Sequence, residues 1–228
     1  ENREHRFFAA AYDRITESAE RAGLAERRRE LLAGATGRVL EIGGGTGHNL
    51  PYFTAAREVV VLEPDGAMAR RMRPKLDRCP APVRVVEAGI DHPDLAALGV
   101  EDASFDTVVS TLVLCTVPDI DAAATAVRRL MTDDAQVLFI EHVLAPTRWR
   151  ARVQRAANPL WGRLAAGCHL DRDAVPSLRR AGLTFGTYDR VRLPLGPLAG
   201  PGVVGRAVVR HGPLLAEPGR YPLRSGRP

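Results

Sequence analysis

The stretch Val39-Leu40-Glu41-Ile42-Gly43-Gly44-Gly45-Thr46-Gly47-His48-Asn49-Leu50 constrains this chain more than any other. Residues able to form a buried strand run directly into four glycines in five positions, and His48 and Asn49 then lead toward a helix. Glycine is needed where the chain turns sharply and brings its backbone N–H groups closer to a ligand than a Cβ permits. Read alone, such a cluster is also compatible with an ordinary turn. Spacing narrows the choice. A dinucleotide fingerprint wants Gly-x-Gly-x-x-Gly, but the sixth position counted from Gly43 is His48 and from Gly45 is Leu50. No Gly-Lys-Ser/Thr follows, which excludes a phosphate loop. The pattern is Glu-x-Gly-x-Gly-x-Gly, from Glu41 through Gly43 and Gly45 to Gly47.

A second apolar run, Glu58 to Leu62, ends in Glu63-Pro64-Asp65. Glu63 lies 18 positions after Gly45. An acid at the end of the second strand, about 20 residues past the glycines, is placed to grip a ribose diol by paired hydrogen bonds. The alternative is an acid at a helix N-terminus beside Pro64.

From Gly37 onward, strand and helix alternate as in a parallel sheet covered on both faces. The strands read at 38–42, 58–63, 83–87, 105–110 and 135–141, with helices near 48–55, 65–73, 93–98 and 119–131. In the last of these helices Asp119 is the cap, and Ile120, Ala123, Ala124, Val127, Leu130 and Met131 form one apolar stripe. Two further β-like runs, 184–193 and 203–209, close the sheet. Ahead of the core, residues 4–20 carry Phe8, Ala11, Tyr12, Ile15 and Ala19 at helical spacing. Gly23 ends that helix, and a second one runs from Leu24 to Leu32. The organisation is therefore one domain: leading helices over 1–36, a core over 37–209 and a Pro/Arg-rich tail over 210–228. A length of 228 residues suits a single core.

With the fourth strand the sequence goes further. It reads Phe105-Asp106, then Leu112-Val113-Leu114-Cys115, then Val117-Pro118-Asp119. With the glycine motif, Glu141-His142-Val143 and Gly167-Cys168-His169-Leu170, these stretches resemble the class I S-adenosylmethionine (SAM) dependent methyltransferases. Within them they are similar to a branch of small thiol S-methyltransferases and, more distantly, to the quinone C-methyltransferases. The resemblance covers about residues 10–209. It implies an α/β Rossmann-like fold whose seven-stranded mixed sheet has the order 3-2-1-4-5-7-6, strand seven being antiparallel. It also implies SAM as cofactor, held by Glu41, Gly43, Gly45, Gly47, Asn49, Glu63, Pro64, Thr111 and Leu112. Many members carry an Asp at the end of the third strand for the adenine amino group, where this chain has Ala88. Asp91, or the backbone of Gly89 and Ile90, is the substitute.

The carboxyl end of strand four should face the transferable methyl. Tyr12, Leu114, Cys115, Trp161 and Cys168 are the candidate lining of an acceptor pocket. His142 is the candidate general base, with His169 beside it; a structural histidine is the alternative for each. An activated sulfonium needs no covalent intermediate, so Cys115 reads as a small hydrophobe. Cys79, Cys115 and Cys168 have no metal spacing, so no metal site is expected, and a reducing cytoplasm is the default location. The net charge of +5 comes from scattered arginines with Lys75 as the only lysine, which argues against nucleic acid and leaves a small-molecule acceptor as the partner. No run reaches the roughly 18 apolar residues of a membrane span. From Arg148 to Leu164, interrupted at Asn158-Pro159, apolar residues alternate with five arginines. That segment reads as a lid with a buried apolar face and a solvated basic one, with weak membrane-surface contact as the alternative.

Overall fold

The computed structural model describes residues 6–165 and 167–210, without the side chains of 6–11, 15 and 187. The leading helices are α1 (Arg6–Ala19) and α2 (Ala25–Leu32), separated by a kink at Gly23, whose φ is 113°. The core alternates β1 (Gly37–Ile42), β2 (Ala56–Leu62), α3 (Gly66–Met72), β3 (Val83–Val86), β4 (Phe105–Thr111), α4 (Ile120–Leu130) and β5 (Met131–His142). It then continues through α5 (Arg148–Leu164), α6 (Ala174–Arg180), β6 (Leu183–Arg192), α7 (Gly196–Ala199) and β7 (Pro201–Val209).

The sheet has seven strands in the order β3-β2-β1-β4-β5-β7-β6. β7 runs antiparallel to both β5 and β6, and the remaining neighbours are parallel, as the family resemblance implied. Because side chains alternate along a strand, the apolar runs supply two cores. Leu40, Ile42, Val60, Leu62, Val108 and Phe139 face one way and are covered by the α4 stripe and by Val175 and Leu178 of α6. Val39, Val59, Val61, Val109 and Leu138 face the other way, under Leu32, Leu50, Phe53 and Met72. Register sets Glu41 beside Val61 on one flank and Val109 on the other, so the carboxyl ends of β1, β2 and β4 converge on one edge.

Several expectations are corrected. The helices near 48–55 and 93–98 are only single 3₁₀ turns, Leu50–Tyr52 and Ala96–Leu98. Left-handed glycines and Pro51 leave no room for a full helix after β1, and Gly99, with φ 72°, ends the second turn at once. α5 is not interrupted at Asn158-Pro159 but continues to Leu164. Most importantly, its apolar residues do not form a buried face: Trp149 is 64% exposed, Leu160 63% and Leu164 67%, with Val153 also exposed. The buried side carries Ala151 and Gln154 instead. Gln154 accepts from Ala145 N and donates to the Leu198 carbonyl, so polar bonds fasten this helix to the body. The expected contacts of Phe8, Ala11 and Ile15, and the tail beyond Arg210, lie outside the described residues.

Candidate active site

The glycine loop is shaped by three left-handed residues: Gly43 (φ 63°), Gly45 (φ 56°) and Gly47 (φ 85°). They do different work. A Cβ on Gly43 would meet Val113 at 2.5 Å, and one on Gly47 would meet Leu50 at 2.7 Å, so both are held by packing. Among the described residues, a Cβ on Gly45 would find only the Tyr12 ring, at 3.9 Å. The space above Gly45 is thus open, the kind of cradle a cofactor fills.

Glu63 follows the last residue of β2 and is 5% exposed. Its carboxylate accepts from Gly45 N at 2.6 Å and from Asp65 N at 2.8 Å. Burial pushes its carboxyl up to about 7, against the pull of the two backbone N–H groups. A carboxylate has about four lone-pair sites, so two remain for a diol. Pro64 is exposed. Exposed Asp91 folds back over Gly89, its Oδ1 lying 2.3 Å from where a Cβ on Gly89 would stand, with Pro64 next to it. Ala88 is buried in the core.

Beneath the loop lies a polar network that the sequence reading missed in part. Glu41 and Asn49 are each 1% exposed, and Asn49 Nδ2 donates to Glu41 Oε1 at 2.7 Å and to Thr111 Oγ1 at 2.9 Å. They therefore support the loop from below. Arg28 of α2, buried among them, donates to Asn49 Oδ1 at 2.8 Å, Thr111 Oγ1 at 3.0 Å and Glu20 Oε1 at 3.1 Å. Glu41 Oε2 has no hydrogen-bond partner among the described residues, and burial raises its carboxyl to about 7. Leu24, Arg28 and Leu32 share a spacing of four, so the helix period did place Arg28 on the buried face.

α1 lies across this edge. Thr46 Oγ1 donates to Asp13 Oδ1 at 2.5 Å, and Lys75 Nζ donates to Asp13 Oδ2 at 3.3 Å. Tyr12 packs on Ala67 and Met68. Burial raises its hydroxyl above the ordinary value, and both Glu63 and Cys115 act on it electrostatically, which puts it between the cofactor side and the acceptor side.

At the end of β4, Leu112 adopts φ 61°, a left-handed conformation rare for a bulky residue and characteristic of functional sites. Its N–H donates to the Ile140 carbonyl at 2.7 Å. Glu141, fully buried, holds the turn that follows: its Oε1 accepts from Ser110 Oγ, Val113 N and Leu114 N. One candidate is corrected here, because the turn directs Leu114 into the hydrophobic core and not into a pocket. Cys115 instead meets two distant residues. His142 Nε2 lies 3.0 Å from Cys168 Sγ, which lies 3.6 Å from Cys115 Sγ. The three donor atoms all fall within 4.8 Å of one another. The Cys115 contact, opposed by burial and reinforced by His142, holds the Cys168 thiol below its ordinary range, whereas the same contact and burial raise that of Cys115. Trp161 Nε1 lies near enough to Cys168 to favour its thiolate yet makes no hydrogen bond of normal geometry among the described residues.

Asn158 positions the loop that carries Cys168 and His169. It accepts from Leu170 N at 2.8 Å and donates to Asp171 Oδ1 at 2.9 Å. The His169 N–H donates to the Cys115 carbonyl at 2.9 Å, tying that loop to the end of β4.

A glycine-turned first strand, an acid-ended second strand and a sheet closed by an antiparallel seventh strand define a class I SAM-dependent methyltransferase. The chain belongs to this family: residues 12–185 match the methyltransferase domain family. It is 32% identical to human thiol S-methyltransferase TMT1B over 200 residues, covering 80% of this chain and 78% of that protein. Against human thiol S-methyltransferase TMT1A it is 30% identical over 203 residues, covering 81% and 79%. Among solved structures, a SAM-dependent methyltransferase from Thermotoga maritima, described as a possible histamine N-methyltransferase, superposes with a TM-score of 0.63 at 17% identity. That superposition covers 90% of this chain and 97% of the other. The protein is therefore a methyltransferase that uses SAM. Among the described residues no helix is long and apolar enough to cross a membrane.

Proposed function

We propose that this enzyme methylates the sulfur of a small, apolar thiol. The observation that carries the reading is the soft-sided end of the cleft, where Cys115, His142 and Cys168 converge beside half-buried Trp161 at the carboxyl ends of β4 and β5. The relatives named thiol S-methyltransferases support it. When bound, SAM supplies an electrophilic methyl that passes to the acceptor thiolate, giving a thioether and S-adenosylhomocysteine.

The chain's own residues bind, orient and exclude water. The left-handed loop at Gly43, Gly45 and Gly47 receives the cofactor, and the free lone pairs of Glu63 grip the ribose. Asp91 or the Gly89–Ile90 backbone meets the adenine in place of Ala88. Thr111 and strained Leu112 close the cofactor side at the end of β4. On the acceptor side, Tyr12, Cys115, Trp161 and Cys168 line the pocket. A thiol already supplies a few per cent thiolate at neutral pH, so the site needs little acid–base equipment. His142 takes the acceptor's proton and His169 flanks it. A lipophilic acceptor also fits the outward side of α5, where Trp149, Leu160 and Leu164 stand among five arginines and no acidic residue. That side is proposed to rest weakly on an anionic membrane surface.

The test offers the enzyme SAM with matched apolar thiol, phenol, amine and quinol acceptors, then repeats the productive pair with His142→Ala. Preferential thiol turnover supports the reading. Preferential turnover of phenol or quinol would defeat it, and an unchanged His142→Ala would remove that side chain from the mechanism.

A further inference from the structure

Cys115, His142 and Cys168 are 27 and 26 residues apart along the chain. The fold nevertheless brings two thiol sulfurs and one imidazole nitrogen within 4.8 Å of one another. Each comes from a different support: the turn after β4, the last residue of β5 and the loop after α5. The supports are themselves fixed. Glu141 pins the β4 turn through two backbone N–H groups, Asn158 pins the Cys168 loop, and the His169 N–H joins the two at the Cys115 carbonyl.

We propose that Cys115 Sγ, His142 Nε2 and Cys168 Sγ form a binding site for Zn²⁺, with its fourth position open to the acceptor thiol. With Zn–S near 2.3 Å and Zn–N near 2.05 Å, a tetrahedral site has edges of about 3.8 Å between sulfurs and about 3.6 Å between sulfur and nitrogen. The observed edges are 3.6 Å between the sulfurs and 3.0 Å from His142 to Cys168. The edge from His142 to Cys168 must open by about 0.6 Å, and the third edge, from Cys115 to His142, lies within 4.8 Å. Thiolate and imidazole donors select zinc over magnesium or calcium, which want oxygen. Three protein ligands with one position free is the arrangement of catalytic rather than structural zinc. Cys115 and His142 are buried while Cys168 is half-buried, and the proposal sets the open position on the Cys168 side.

The role of the fourth position rests on the thiol reading above; the metal site itself does not. On coordination the acceptor RSH gives its proton to solvent and binds as thiolate, because the cation stabilises the charge. A sulfur electron pair then forms the new S–CH₃ bond as the methyl–sulfonium bond breaks. The neutral thioether RSCH₃ is a poor zinc ligand and leaves. In the zinc-loaded enzyme His142 Nε2 is a ligand, and activation of the thiol passes from that imidazole to the cation.

The test uses the whole chain, stripped by chelator and kept reduced with a phosphine, then titrated with Co²⁺ as a spectroscopic stand-in. The expected result is a thiolate-to-cobalt charge-transfer band that saturates at one equivalent per chain and is abolished by one equivalent of Zn²⁺. Cys115→Ser and Cys168→Ser should each remove most of the band. Cys79→Ser, whose half-buried thiol lies outside the cluster, should keep it whole. Far-UV circular dichroism of each variant separates loss of the site from loss of the fold. Addition of an apolar thiol should shift the band, and a matched phenol should not. Absence of the band in the folded wild-type chain, its persistence in the double Cys→Ser variant, or closure of a Cys115–Cys168 disulfide that excludes cobalt would overturn the site. A band that thiol leaves unmoved would overturn the fourth position alone. Thiol turnover by metal-free enzyme without cobalt binding would refute the site and leave the function standing, whereas cobalt binding with phenol turnover would do the reverse.

Discussion

Acid should loosen the cofactor, and Glu63 is where it acts. Burial pushes this carboxyl up to about 7, and the proposed grip on the ribose diol needs both of its oxygens as acceptors. A group with that pKa is roughly nine-tenths ionised at pH 8 and one-tenth at pH 6, so affinity for S-adenosylhomocysteine should fall about tenfold between them. Glu63→Gln should bind weakly at both and show no slope. Stability runs the other way. The folded value lies above the ordinary 4.5, so the folded state holds the extra proton between about pH 4.5 and 7. The free protein then gains stability as pH falls through 7, by up to about 3 kcal/mol per group. Glu41 carries the same shift from beneath the loop, so Glu41→Gln should remove its share of the stability slope, leaving that of Glu63 and the slope of cofactor affinity in place. Calorimetry with S-adenosylhomocysteine from pH 6 to 8, and urea unfolding over pH 5 to 8, read the two effects separately. A flat wild-type affinity, or an equal slope in Glu63→Gln, would refute the assignment of Glu63 to the ribose.

Arg28→Met removes three hydrogen bonds at once, two of them buried, and strands Asn49 Oδ1 and Glu20, at a cost of about 3–5 kcal/mol. Calorimetry should find the melting temperature lower by roughly 6–20 °C, and a change of less than 2 °C would show the network to be dispensable. Gly45→Val should fold, since its Cβ enters open space and left-handed backbone costs on the order of 1–2 kcal/mol, yet lose S-adenosylhomocysteine binding. Gly44→Ala should do the opposite in kind, losing stability because its Cβ would stand 2.2 Å from Val61 Cγ1. Replacing Trp149, Leu160 and Leu164 together by Ser should weaken sedimentation with phosphatidylserine vesicles at least tenfold, and a wild-type chain that ignores such vesicles would end the membrane proposal.

What the sequence could and could not disclose follows from the range of the interactions involved. The glycine loop and the strands were legible because their signals are local: a left-handed turn needs glycine, and a strand buried on both faces needs an unbroken apolar run. Asp119 was readable as a cap for the same reason, satisfying backbone N–H groups two and three residues ahead. α5 misled because its apolar and basic residues suggested a face to bury, while the contacts that dock it are made by Gln154 and Asn158, polar residues whose partners at Ala145, Leu198 and Leu170 come from other segments. Arg28 sat unnoticed within Arg27-Arg28-Arg29, although the stripe from Leu24 to Leu32 marks which of the three turns inward. Spacing was silent on the Cys115–His142–Cys168 cluster for a deeper reason. Metal motifs can be read from spacing when neighbouring ligands share one turn or helix, but here each donor belongs to a separate element, and only the β4–β5 pairing and the Asn158 clasp bring them together. The residues proposed for the acceptor side could each be named from the sequence, but not grouped, because their association is a product of the completed sheet.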